Sequence, residues 1–483
     1  MTRTNPAPAG LLIGLIQQAR SLFVQTANYI FCHALYNLIR QISRQSPGKS
    51  QKQGGNTMAK KIEASGLGQV RAEDRKSWLS IAFIWAGSVC CVPALMVGAG
   101  ITMGLSFAQA AVAMCLGYGI CVVLMILMSI LSADKGIPTV SAASSAFGKT
   151  GSGYLVSAII AFCFICWFGF QAVICGEAFA AILSSFGIPL PGIVSTFLWG
   201  LLMCLTAVVG INLIRLLNIV SVPALILILI YAMISVFRNP GSAAAISGYT
   251  PATVTPMVAA IGTAVGGFAT GSVLSGDTTR YCRSRKDVII SSIVGVIPMG
   301  VGTMLAGGVL AIHSGSAGMD TTSIVNMLSS IGAPILGLLV LVLATWTTNV
   351  SNAYSAGFAL LSLTKGRDDR RWLYTLIAGV LGTLLSVFGI TNYFNSFLNI
   401  LAAFIPPVAG VVVMDYFVIH KGDPDRWEAV EGVNWTGIIA WVGGALFALA
   451  FPTLLVPTIN GVVVACVLYL ILHPILTKSR KTA

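Results

Sequence analysis

Charge is scarce in this sequence. Only 9% of its 483 residues are Asp, Glu, Lys or Arg, and four are histidines. Soluble domains carry about 25% charged residues, so a soluble domain of useful size is excluded. The few ionisable groups form no Ser/His/Asp set, no metal-ligand spacing and no phosphate loop, and an enzyme is not expected. Acidic residues are the scarcer sign, 15 against 28 basic ones, for a net charge of +13. That balance suggests nucleic acid until its distribution is read: the basic residues sit between apolar runs, where they set membrane topology, and no nucleic-acid partner is expected. A disulfide framework is also missing. Most of the eleven cysteines lie inside apolar runs. The C-x-x-C of Cys163 and Cys166 falls mid-span with no His cluster near it, as buried small hydrophobes do. The sequons at Asn349 and Asn434 fall within a span and on the inner side, and are set aside.

Hydrophobic length is abundant instead, with 56% of the residues hydrophobic. From Ser77 onward twelve runs can each cross roughly 30 Å of hydrocarbon. They lie near 77–104, 107–132, 153–184, 192–210, 214–236, 252–276, 287–312, 333–363, 373–390, 393–418, 434–453 and 457–475. The chain therefore reads as an all-α polytopic membrane protein of twelve transmembrane helices. With the N-terminus inside, the inner loops and C-terminal tail hold sixteen Lys and Arg, and the outer loops hold Arg238 alone. This positive-inside bias places both termini in the cytoplasm and predicts a multi-pass protein of the bacterial cytoplasmic (inner) membrane. A monomer in the lipid bilayer is expected.

Residues 1–76 stand apart as an N-terminal extension and cytoplasmic tail. Residues 10–39 are too polar to span a bilayer and lack a signal-peptide cleavage pattern. Gly54-Gly55 are encoded by GGN codons, which can form a ribosome-binding sequence ahead of Met58-Ala59-Lys60-Lys61. Met58 is thus expected to start the native protein, with residues 1–57 not native.

The stretch Gly262 to Lys286 organises the rest. It begins as an apolar helix pattern, is expected to break at Gly266-Gly267-Phe268-Ala269-Thr270-Gly271-Ser272, and ends in basic residues. Irregular backbone at membrane depth is tolerated where it lines a cavity, and small-residue spans also pack closely. The first span has a similar run around Pro93. Interrupted helices five spans apart point to two inverted five-helix repeats, 77–236 and 252–418, with a binding site at the midplane. Helices within 434–475 fall outside the repeat and 476–483 form a tail.

Intramembrane ionisable groups are few enough to weigh singly. Asp277, followed by Arg280, suits a helix-end or gate ion pair, and Asp415 a structural role. Glu177 is deeper and reads either as a proton site or as a hydrogen bond to a neighbouring helix. Trp167 and Gln171 are one turn apart on the third span, and an aromatic plane beside an amide suits a flat heterocycle. The eighth span holds the polar run from Ala344 to Asn352, which an ion, a ligand or a neighbouring helix must satisfy. Thr347, Thr348 and the Ala344 carbonyl can supply three neutral oxygens, and the carbonyls of Gly87 and Cys90 in an unwound first span two more. That set suits sodium; the competing coupling ion is a proton at Glu177. No other cofactor is expected.

Several stretches resemble the nucleobase–cation symporter-1 family, and within it the bacterial cytosine permeases: G-G-F-A-T-G-S-V-L-S-G-D-T-T-R-Y (266–281), W-T-T-N (346–349), residues 397–416 ending in V-M-D-Y, V-N-W (433–435) and L-I-L-H-P-I-L (470–476). The resemblance runs from about 77 to 476. It implies a five-plus-five inverted repeat of the amino-acid/sodium symporter type with two extra C-terminal helices, and alternating access. It also implies a planar base held between Trp167 and Phe268, and points to the Thr347–Thr348 pair for sodium. Gln171 falls where hydantoin-type members place a substrate-binding Gln. Cytosine permeases have a small residue there and a Gln where this chain has Phe164. Gln171, Thr270 and Asn349, with backbone near Gly267 and with Asn352, are expected to read the base edge. The expected function is cation-driven import of a nucleobase or related heterocycle. The alternatives are a proton-coupled carrier of an amino acid or a thiamine-precursor pyrimidine on the same fold, or a channel or nutrient receptor, for which neither a continuous polar pore nor a signalling domain is evident.

Overall fold

The computed structural model describes residues 69–482 apart from 210, 316–320, 331–333 and 368–369. The expectations for residues 1–57 and Met58 lie outside the described residues. The first span is two helices, α1 (Trp78–Val89) and α2 (Val92–Thr102), bent 59° apart. Then follow α3 (Phe107–Lys135), α4 (Lys149–Ser185), α5 (Gly192–Val209) and α6 (Ile211–Arg238). The second half holds α7 (Met257–Val273), α8 (Arg285–Ser314), α9 (Pro334–Leu363) and α10 (Arg371–Val387). It continues with α11 (Phe394–Phe404), α12 (Pro406–Val413), a π turn at Met414–Ile419, α13 (Trp435–Ala450) and α14 (Pro457–Thr482). Among the described residues eight spans are long and apolar enough to cross a membrane, and α1–α2 makes a ninth. The apolar helices α5, α10 and α13 are shorter.

Local chemistry sets the helix ends. Ser106 caps α3 in a reciprocal box with Gln109, whose side chain accepts the Ser106 N–H at 3.2 Å. Gly136, at φ 67°, closes the same helix. Where α3 ends, Arg285 grips the Asp134 carboxylate at 2.7 Å and the Gly422 carbonyl at 2.7 Å, while the Tyr416 hydroxyl donates to Asp134 at 2.6 Å. The start of α8, the end of α3 and the π turn are thereby tied together.

Packing sorts the helices into two groups. One is α1, α2, α3, α7 and α8; the other is α4, α5, α9 and α10. Between halves of the chain, α3 lies on α8, α4 on α9 and α5 on α10. From outside the groups, α6 meets α8 and α9, α11 meets α7, and α13 packs on α14.

The two spans expected to break behave differently. In the first, Cys90 and Cys91 leave the helix, and Cys91 is extended at φ −142°, ψ 161°. The Cys91 amide turns back to the Val89 carbonyl at 3.0 Å, so it cannot serve the Gly87 carbonyl four residues before it. The sixth span corrects the expectation: α7 is helical through Gly266 to Ser272 and ends at Val273, and the short helix Gly276–Thr279 follows. Its glycines admit neighbours. A Cβ on Gly266 would lie 2.2 Å from the Leu398 carbonyl oxygen of α11, and one on Gly271 2.4 Å from the Phe268 ring.

Candidate functional site

Trp167 and Gln171 sit on one face of α4, one turn apart, and Phe268 and Thr270 lie on α7. Cys163, one turn before Trp167, is the neighbour of Thr270, so the two helices meet at these residues. Trp167 and Phe268 are both 8% exposed, and each has its own aromatic group. Trp167 packs edge-to-face with Phe394 and Phe397 of α11, at centroid distances of 5.9 and 5.2 Å, and with Phe170 at 6.2 Å. Phe268 is stacked by Tyr118 of α3 at 5.5 Å with 19° between planes, and meets Trp85 of α1 at 6.0 Å and 87°. Helix α11 touches both walls, since Leu398 receives Gly266 while Phe394 and Phe397 hold Trp167.

Two polar groups on these helices are buried without hydrogen-bond partners: the Gln171 side-chain oxygen on α4 and the Thr270 hydroxyl on α7, on residues 1% and 6% exposed. Most buried polar atoms find a partner in protein or water; the Gln171 oxygen and the Thr270 hydroxyl are among those that do not. Asn349 is placed otherwise. Its amide donates to the Phe168 carbonyl at 3.0 Å and contacts the Met203 sulfur at 3.1 Å, and Asn352 donates to its oxygen at 3.3 Å. Asn349 and Asn352 thus tie α9 to α4 behind Trp167. Gly267 lies in unbroken helix near Val97, so its peptide groups belong to the helical ladder.

The eighth-span oxygens do come together. Thr347 and Thr348 both donate to the Ala344 carbonyl, at 2.9 and 3.0 Å, so that carbonyl is already engaged by both hydroxyls. Gly87 and Cys90 stand at the first-span break, and α2, just past it, contacts α9. The Cys90 thiol points to Thr303 of α8. Glu177 lies ten residues beyond Trp167, roughly 15 Å along the helix, beside Gly192 at the start of α5. Asp277 accepts the Thr139 amide at 2.9 Å with Arg280 as its nearby positive charge. Asp415 accepts from Tyr469 at 2.7 Å and from Ser145. Both fit the structural readings of the sequence. The aromatics behind the two rings, Tyr118, Trp85, Phe394 and Phe397, were not singled out from sequence; Trp85, one turn before the expected break, carried the available signal.

Comparison with known proteins follows the same geometry. The family described as permease for cytosine/purines, uracil, thiamine, allantoin matches residues 69–472. The cytosine permease of Escherichia coli (strain K12) is 27% identical over 421 residues, covering 86% of this chain and 96% of its own length. The hydantoin permease of Microbacterium maritypicum is 25% identical over 423 residues, covering 81% of this chain and 84% of its own. Among solved structures, the inward-facing conformation of Mhp1 superposes with a TM-score of 0.75 at 22% identity, covering 86% of this chain and 94% of that one. The chain therefore belongs to the family of permeases for cytosine/purines, uracil, thiamine and allantoin, and is a multi-pass membrane transporter, not an enzyme.

Proposed function

We propose that this permease imports a nucleobase or related planar heterocycle by cation symport with alternating access. The observation that supports the reading is the pair of unpartnered buried polar groups, Gln171 on the helix of Trp167 and Thr270 on the helix of Phe268. The ring stacks, and the amide and hydroxyl read its edge. The relatives act on cytosine and hydantoin by name; Gln171 favours a hydantoin-like ring over cytosine itself. The pairing of α3 with α8, α4 with α9 and α5 with α10 supports two inverted five-helix repeats. Counting the shorter α5, α10 and α13 as spans gives twelve, with both termini cytoplasmic in an inner membrane. The two packed groups supply bodies that can rock against each other about the site. Sodium, held by Thr347, Thr348 and Ala344 with Gly87 and Cys90, is the proposed coupling ion; Glu177, remote from the rings, is the proton alternative.

A thermal-shift panel of purines, pyrimidines, hydantoins and thiamine precursors, followed by counterflow of labelled ligand in proteoliposomes, tests the reading. Binding and trans-acceleration by one heterocycle class are expected. Passive flux without counterflow would indicate a channel. In the same assay Gln171→Leu reorders the substrate ranking; an unchanged ranking would make Gln171 a packing residue.

A further inference from the structure

Trp85 is left out of the site as drawn so far. It lies in α1, one turn before the break at Cys90, with its side chain 6% exposed. Its indole N–H is buried and has no hydrogen-bond partner. Two other tryptophans share that condition, Trp372 and Trp427. Those stand near the ends of spans, in the first turn of α10 and in the loop before α13. Trp85 sits seven residues inside α1, about 10 Å from its start. Its ring meets the Phe268 ring edge-to-face, while Tyr118 covers one Phe268 face. Partnerless polar groups therefore stand on three helices of the site: an acceptor on Gln171 of α4, a hydroxyl on Thr270 of α7 and a donor on Trp85 of α1, whose ring meets Phe268.

We infer that Trp85 is a specificity-determining residue of the substrate site, donating its indole N–H to an acceptor on the bound ring. This rests on the heterocycle reading above and sharpens it. An acceptor-only oxygen at Gln171 requires a ring N–H, and the donor-only nitrogen at Trp85 requires an acceptor, which the proposal assigns to an oxo oxygen beside that N–H. The substrate class that answers both is a ring containing a cyclic amide. Trp85 also places the substrate in contact with the same helix whose broken end presents the Gly87 carbonyl.

The test compares oxo-bearing rings with counterparts lacking that oxygen, by equilibrium binding to the purified full-length protein: hypoxanthine against purine, cytosine against 4-aminopyrimidine, and 5-benzylhydantoin against its 2-thio form. In whichever pair the wild type binds, Trp85→Phe weakens the oxo member at least tenfold and leaves the other within about twofold. Trp85→Tyr, which keeps a donor, retains part of the preference. Phe268→Ala weakens both members alike. If Trp85→Phe lowers both members equally, or neither, Trp85 is packing and the inference fails while the heterocycle site stands. Should the Phe variant not fold, Trp85→Met removes the donor with a flexible filler and is read the same way. A wild type that binds none of the six compounds overturns the substrate class itself, and this inference with it.

Discussion

The first and sixth spans carry similar runs of small residues, yet they solve different problems. In the first, A-G-S-V-C-C-V-P places Pro93 in the opening turn of the second half, where a missing N–H is harmless. Cys90 and Cys91 abandon the helix and carbonyls come free. In the sixth, G-G-F-A-T-G-S has no proline, and the helix runs through it. There glycine works by what it lacks: α11 backbone presses against Gly266, and the Phe268 ring folds over Gly271. The broken span is thus the one that can offer backbone to an ion, and the unbroken one offers a ring platform. Glycine content alone does not distinguish them; proline position and lost i+4 donors do.

The most damaging way to probe this contrast is Gly266→Leu. A Cβ there would stand 2.2 Å from the Leu398 carbonyl oxygen, an atom that can yield only by moving α11. Overpacking of ordinary cores is destabilising by roughly 1–3 kcal/mol, and a backbone clash belongs at or above the upper end. Little folded protein is expected by fluorescence-detected gel filtration. Gly267→Ala next door meets only Val97 side-chain carbon at 3.3 Å, and should express within about twofold of wild type. Equal expression of the two variants would mean the close approach is not what these glycines serve.

The ring platform is tested next. Trp167→Ala and Phe268→Ala should each weaken substrate binding at least tenfold, about 1.4 kcal/mol, of which stacking supplies roughly 0.5–1.5 kcal/mol beyond burial. The backing rings differ: Trp167 leans on α11, Phe268 on Tyr118 and Trp85. Near-wild-type affinity in both variants would remove the sandwich.

At the broken span the expected effect is conditional on the ion. Sodium should tighten substrate binding in the wild type, and Thr348→Ala should abolish that response while leaving sodium-free affinity within about threefold. If sodium has no effect and Glu177→Gln removes a pH dependence of uptake, the coupled ion is a proton.

Much of this was legible before any coordinates. Apolar length located the eight long spans and the bent first one, and the Trp167–Gln171 spacing put both on one face of α4. Family motifs supplied Phe268 and the threonine pair. Other features were not legible, for physical reasons. Whether a glycine breaks a helix or admits a neighbour depends on what lies opposite, and Leu398 is 132 residues away in sequence from Gly266. Asn349 has the chemistry of a ligand-binding amide, yet tertiary packing uses it on the Phe168 carbonyl. An unpartnered atom such as the Trp85 nitrogen is a property of its surroundings, which no local pattern encodes.

The smallest expected effect lies beside the π turn at Met414–Ile419, away from both small-residue runs. Just beyond the π turn, His420 Nδ1 is 2.9 Å from the Asp415 backbone carbonyl and 3.5 Å from its carboxylate. The hydrogen bond with Asp415 raises the His420 pKa above its usual 6.5, with Asp415 and Glu428 charges adding to it against the opposing effect of burial. The imidazolium form is therefore bound more favourably in the folded protein than in the unfolded chain. Stability from this pairing is fully present below the ordinary histidine value and is lost as pH rises through the elevated one. His420→Gln should remove that increment, lowering the melting temperature on the order of 1–2 °C on the acid side and converging with wild type on the alkaline side. Melting curves of both proteins across that interval, in one detergent and at fixed ionic strength, check it. A constant offset at every pH would assign His420 a packing role, and a difference growing toward alkaline pH would reverse the sign of the linkage.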